Sequence, residues 1–284
     1  MLNTYIPFTA LFMAILSLWL PTKHKILPWS LFFVLSLLLA LISGIANYIA
    51  VSVLILFYGL VFSYQQSHKI YRLITALLVF ILGLALELHL IPGFHNPLIL
   101  HKIQFTPDAI PFTLYLNLDK TAVGLIIIGL TLTRIDSLSL WQQTIRQVFY
   151  RLPIVLLIIM LLSFLFGYVK FEMKFPEQLW IWILSNLFFT CLAEEGLFRG
   201  FLQKSLNDIP WKSKYLSLPL ILPAIIFGLL HYQGGIKYVF LATFAGILYG
   251  WVYQKTKRIE ASILTHFLLN LTHILFFTYP ALSS

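Results

Sequence analysis

The chain has 284 residues, 60% hydrophobic and 10% charged, with a net charge of +9 and a mean hydropathy of +0.90. An average soluble domain carries about 25% charged residues, and this chain lacks the polar surface to cover a soluble core. These figures exclude an ordinary cytosolic enzyme, a disordered chain and a nucleic-acid-binding module, and point to a polytopic membrane protein.

A transmembrane helix needs about 20 mainly apolar residues. Ten segments qualify: 4–21, 27–43, 47–64, 73–92, 121–133, 152–169, 179–198, 216–232, 237–253 and 259–277. The fifth is short. The expected fold is all-α, a polytopic transmembrane helix bundle of about 8–10 spans. The first apolar run has no basic segment before it, which predicts a retained helix rather than a cleaved signal. The long loop 93–120 contains Pro97, Pro107 and Pro111 and is not helical throughout.

Basic residues orient the bundle. With the N-terminus outside, 14 of the 19 Lys and Arg fall in inside loops, Lys23, Lys25, Lys212 and Lys214 among them. The five outside are Lys102, Lys120, Lys170, Lys174 and Lys237. This bias agrees with the positive-inside rule and accounts for the net charge without a nucleic-acid partner. Glu87 and His89, at the outer end of the fourth segment, read as snorkelling or locally bonded groups with no role. Trp29, Trp180 and Trp182 lie near span ends and read as part of an interfacial belt. Cys191 is the one cysteine, which excludes an intramolecular disulfide and a CxxC metal site. The chain splits into residues 1–150, apolar helices of unknown role, and residues 151–284, whose helices carry embedded polar residues.

A charged group at the bilayer centre costs roughly 2.5 to 17 kcal/mol, so such groups face the bundle interior and take partners. The first such cluster is Glu194-Glu195-Gly-Leu-Phe-Arg199, at the inner end of its apolar segment. Glu195 and Arg199, four apart, share a face and form an ion pair. Glu194 points about 100° away and is left for chemistry. The second is Phe227-Gly-Leu-Leu-His231. The third is His266-Phe-Leu-Leu-Asn270-Leu-Thr-His273, whose offsets put three polar side chains on one helical stripe. An interhelical polar zipper is the plain alternative for that stripe.

Together these groups supply a general base and oxyanion donors. Glu and His also bind metals, but there is no HExxH segment, and helical spacing alone does not specify a metal geometry. His231 is the awkward member, because a full-length span would carry it to the opposite end of its helix from Glu194. A broken segment around Pro219, Pro223 and Gly228, or a turn at Gln233-Gly234-Gly235 within the membrane, would remove the difficulty.

In that order, Glu194-Glu195-xxx-Arg199, Phe227-xxx-His231 and His266-xxx-Asn270 resemble the CPBP intramembrane protease family. It is also called the Abi or CAAX-protease self-immunity family, and it includes the type II CAAX prenyl endopeptidases. Phe244-Ala-Gly246-Ile-Leu-Tyr-Gly250-Trp251 is similar to that family as well, and the resemblance covers residues 180–275. It implies a helical fold with an intramembrane polar cavity and hydrolysis of membrane-associated, possibly prenylated, protein or peptide substrates. Glu194 with His231 would activate water, Glu195 and Arg199 would support them, and His266 and Asn270 would donate to the oxyanion. No cofactor is required on this reading. The open alternative is a divalent metal such as zinc, held by Glu194, His231 and His266. A non-catalytic immunity or scaffold protein and a proton-coupled transporter are the competing functions. Short loops suit a bacterial plasma membrane.

Overall fold

A computed structural model describes residues 2–21, 24, 26–209 and 217–283. Lys23, Lys25, Lys212 and Lys214, used above for orientation, lie outside the described residues. Among those described, the helices in chain order are α1 (Leu2–Ser17), α2 (Leu27–Ile42), α3 (Tyr48–Gln66), α4 (Lys69–Glu87) and α5 (Leu118–Thr131). They continue as α6 (Leu138–Leu165), α7 (Leu179–Asn207), α8 (Leu218–Leu229), α9 (Ile236–Thr256) and α10 (Ile259–Phe276). Each apolar segment read from the sequence is a helix, and the fold is an all-α polytopic bundle. Among the described residues six helices are long and apolar enough to cross a membrane: α3, α4, α6, α7, α9 and α10. α1, α2 and α8 are apolar but shorter.

Local chemistry sets several ends. Asn47 caps α3 by accepting the Ala50 N–H at 3.1 Å. α9 stops at Lys257, whose left-handed φ of 55° closes the helix. α6 begins at Leu138, earlier than hydropathy indicates, because Gln142, Gln143, Arg146 and Arg151 dilute its first half without breaking the helix. α7 runs nine residues past its apolar segment, to Asn207. The loop before α5 holds a two-stranded sheet of β1 (Leu98–Ile103) and β2 (Phe112–Tyr115), in keeping with its prolines.

Contacts divide the chain into two units that interleave in sequence. The first comprises Met1–Pro97, Tyr115–Leu138 and Phe188–Phe201; the second comprises Leu98–Leu114, Ser139–Leu187 and Leu202–Ser284. The expected division near residue 150 is of another kind, separating helices without motifs from helices with them.

In the first unit α5 is the central helix, with nearly every residue from Leu118 to Gly129 buried. Small residues let it approach its neighbours. A Cβ on Gly124 would lie 2.6 Å from the Ala193 Cα, and one on Gly196 would lie 2.8 Å from the Gly124 Cα. This is the close backbone contact that small residues permit in membrane helices. Trp29 is buried against Gly129.

In the second unit α8 packs on α9, where a Cβ on Gly228 would meet the Thr243 side chain and the Val239 carbonyl. Buried Gln203 donates to the Gly250 carbonyl at 3.0 Å, tying the end of α7 to α9. Trp182 is also buried and donates to the Tyr279 hydroxyl at 3.0 Å. Of the three tryptophans assigned to an interfacial belt, Trp29 and Trp182 are therefore core residues, and Trp180 is exposed. A span end read from hydropathy does not say which side of the helix faces inward. Leu31, Leu77 and Leu157 are among the large apolar side chains left exposed, as lipid contact requires.

Candidate active site

The carboxylates sit mid-helix. Extension of α7 to Asn207 puts Glu194 near its centre, not at the inner end of the span as the apolar run suggests. Leu192–Glu195 is a short α-helical stretch between two π-helical ones, Ser185–Cys191 and Gly196–Gln203. Such wide turns are often associated with functional sites. Arg199 donates through Nη1 to Glu195 Oε1 at 2.9 Å, and both side chains are fully buried. The four-residue pair read from the sequence is present.

Glu194 is also held, which the sequence did not indicate. Lys120 Nζ donates to Glu194 Oε1 at 2.5 Å and lies 3.5 Å from Glu87 Oε2. Lys120 belongs to the first turn of α5 rather than to an outside loop, and Glu87 is buried rather than snorkelling. The reason is tertiary: the Gly124–Gly196 contact brings the start of α5 beside Glu194, and helical periodicity carries no information about that contact. The turn is itself fixed by side chains. Asn96 accepts the Leu118 N–H and donates to Asp119 Oδ1, both at 2.9 Å. Asp119 accepts the Lys120 N–H at 2.9 Å, and its other oxygen meets His89 Nδ1 at 2.7 Å. His89 thus bonds far along the chain and helps cap α5.

The imidazoles and the amide lie in the second unit. His231 follows the end of α8, and its Nδ1 lies 2.7 Å from the Phe227 carbonyl. A carbonyl only accepts, so Nδ1 carries the hydrogen. The ring meets Tyr238 edge-on at 5.1 Å. His266 is buried and stacked on Tyr249, with centroids 4.4 Å apart, and stands edge-on to Phe227 at 6.0 Å. Phe227 therefore touches both histidine rings. Asn270 donates to Asn186 Oδ1 at 3.3 Å. His273 donates through Nε2 to the Thr278 carbonyl at 3.1 Å, which makes it a tie at the end of α10.

α8 has 12 residues and rises about 18 Å, against about 30 Å of hydrocarbon core. It is too short for the full span assumed for it. Tyr232–Gly234 forms a single turn, and Gly235 follows with a φ of 84°.

The first unit thus holds Glu194, Glu195 and Arg199, and the second holds His231, His266 and Asn270. Lys120, Glu87, Tyr249 and Asn186 complete these two clusters; only Tyr249 stood in a motif, and without a role. An ionisable residue bordering an apolar segment is a functional candidate whose partner should be sought; Glu87 and Lys120 both met that description. Among the described residues no three His, Cys, Asp or Glu side chains form a group able to hold a metal ion. One oxygen of Glu194 is engaged by an ammonium.

Residues 176–272 match the family described as type II CAAX prenyl endopeptidase Rce1-like. The matched stretch contains all six residues from Glu194 to Asn270 singled out above, and it bears out the resemblance drawn from their order. No curated protein and no solved structure matches the chain.

Proposed function

We propose that this integral multi-pass membrane protein, with its CAAX prenyl endopeptidase-like region at residues 176–272, hydrolyses peptide bonds in membrane-associated substrates. Prenylated peptides of the kind the family is named for are the first class to try, and a bacterial plasma membrane is the expected site. The carrying observation is the division of labour on α7. Glu195 is committed to Arg199, while Glu194 is held from another helix, through a lysine, in buried surroundings.

In the reaction Glu194 takes a proton from water as the water oxygen attacks the substrate carbonyl. His231, whose Nδ1 hydrogen is directed to the Phe227 carbonyl, orients the same water. The oxyanion receives hydrogen bonds from His266 and Asn270. Asn270 is held by directing an amide hydrogen to Asn186. As the intermediate collapses, Glu194 returns the proton to the departing amine. The Glu195–Arg199 pair supports the helix segment that carries the base. The stacking of His266 on Tyr249 limits the ring's freedom and supplies the preorganisation that oxyanion donors need.

The test is cleavage of a membrane-tethered peptide library by reconstituted protein, comparing wild type with Glu194→Ala, with and without a chelator. Loss in the variant alone supports the glutamate mechanism; loss with chelator brings back a metal. Normal cleavage by Glu194→Ala would end the proposal. One observation favours a non-catalytic scaffold instead: the ion pair with Lys120 gives Glu194 a structural use. On that reading a folded Glu194→Gln variant keeps its biological effect.

A further inference from the structure

We propose that Lys120 is a positioning residue for the Glu194 carboxylate, anchored by Glu87, so that α5 rather than α7 sets the base. The inference rests on the peptidase reading above.

Three observations in the first unit carry it. The helix bearing Glu194 is π-helical on both sides of that residue, so the hydrogen-bond ladder of α7 changes register immediately around the base. The ammonium of Lys120 is 2.5 Å from Glu194 and 3.5 Å from Glu87, a three-group arrangement in which one cation faces two carboxylates. A purely structural ion pair needs only one of them. Finally, Lys120 is fixed at two points. Asn96 and Asp119 bind the first turn of α5, with His89 on the far side of Asp119. One turn later Gly124 abuts Ala193 and Gly196, so any shift of α5 along α7 meets backbone. Lys120 therefore passes the rigid placement of α5 to Glu194, and Glu87 keeps its side chain extended in that direction.

The experiment uses the full chain reconstituted in lipid vesicles and the tethered peptide that wild type cleaves best. It measures kcat and KM for wild type, Lys120→Met, Lys120→Arg, Glu87→Gln and Glu194→Gln, with melting curves on the same samples. Displacing a catalytic group by about 1 Å costs on the order of 100-fold in rate. We expect Lys120→Met to lose about that factor in kcat with KM changed less than about threefold. Lys120→Arg, which keeps the charge, restores at least about a tenth of wild-type kcat, and Glu87→Gln loses about tenfold. A structural role alone would lower the melting temperature and leave kcat per folded molecule intact. Full kcat in folded Lys120→Met, or no recovery in a folded Lys120→Arg, overturns the inference. If Lys120→Met does not fold, Glu87→Gln decides: lowered kcat at constant KM supports positioning, and unchanged kcat overturns it. An inactive wild type, or an active Glu194→Gln, removes the peptidase reading and this inference with it. An inactive Glu194→Gln beside a fully active Lys120→Met removes this inference alone.

Discussion

The two polar clusters bury their cost differently. In the first unit the groups are acids and bases that answer one another: Arg199 for Glu195, Lys120 for Glu194 and Glu87. In the second they are imidazoles and amides, answered by a backbone carbonyl, an aromatic face and another amide. Removing one member of a buried ion pair strands a charge, which costs about 3–5 kcal/mol. Removing a neutral partner leaves an unmet hydrogen bond, about 1–3 kcal/mol. The first cluster should therefore respond to substitution through both folding and chemistry, and the second mainly through chemistry.

The largest expected effect is on the base. Glu194→Gln, which keeps shape and removes the carboxylate, should lower kcat by about 10²–10⁴-fold in the peptide assay. A folded variant with wild-type kcat would break the comparison at its root. Next is Arg199→Ala, which strands the fully buried Glu195 and should destabilise by about 3–5 kcal/mol in denaturation from detergent. Replacing both Glu195 and Arg199 by Met should be far milder; equal loss in the single and double variants would show that stability does not depend on the unpaired charge. In the second cluster, His266→Ala and Asn270→Ala should each cost on the order of 100-fold in kcat, with melting temperatures lowered less than by Arg199→Ala. If they instead unfold the protein while sparing turnover, the stripe on α10 is a packing zipper.

Gly124→Ala sharpens the comparison from the backbone side. Its Cβ would press on the Ala193 main chain, and overpacking of this kind costs about 1–3 kcal/mol. Turnover should fall with it, since Lys120 moves along with α5. The smallest effect is electrostatic and lies in the second unit outside the spans. The Lys170 ammonium, bonded to Asp108, holds that carboxyl below its ordinary value of 3.8 and is itself raised by the contact. A depressed carboxyl contributes stability above its unfolded value and loses it as pH falls through the folded one. A raised lysine keeps its share through neutral pH and loses it only in strong base. Melting of Asp108→Asn should thus fall slightly below wild type at pH 6 and converge with it as the pH falls through the lowered carboxyl value. The pair is solvent-exposed, so the difference should also shrink in high salt.

Much of this was legible in residue order. Long apolar runs mark helices because hydrocarbon leaves the backbone no other partner, and all ten runs are helical. Glu195–Arg199 was legible because four residues make one turn. The hold on Glu194 was not, because its partner lies 74 residues away and is delivered by a glycine contact between α5 and α7. Helix ends were obscured for a related reason. The charges at Arg199 and Lys204 end the apolar run, yet α7 continues, since Arg199 is neutralised from within its own helix. Tyr249 stood inside a recognised motif, but its stacking under His266 depends on how α9 meets α10.

The length of α8 has a mechanical consequence for the surrounding lipid. A rod of about 18 Å in a film of about 30 Å leaves roughly 12 Å of acyl chain without a matching protein wall. Bilayers answer such mismatch by thinning, at fractions of a kcal/mol per Å. Such thinning would draw headgroups and their water down beside His231, where α8 ends. The lipid would then be part of the water supply, and the rate of the proposed hydrolysis should change when the acyl chains of the host vesicle are lengthened or shortened.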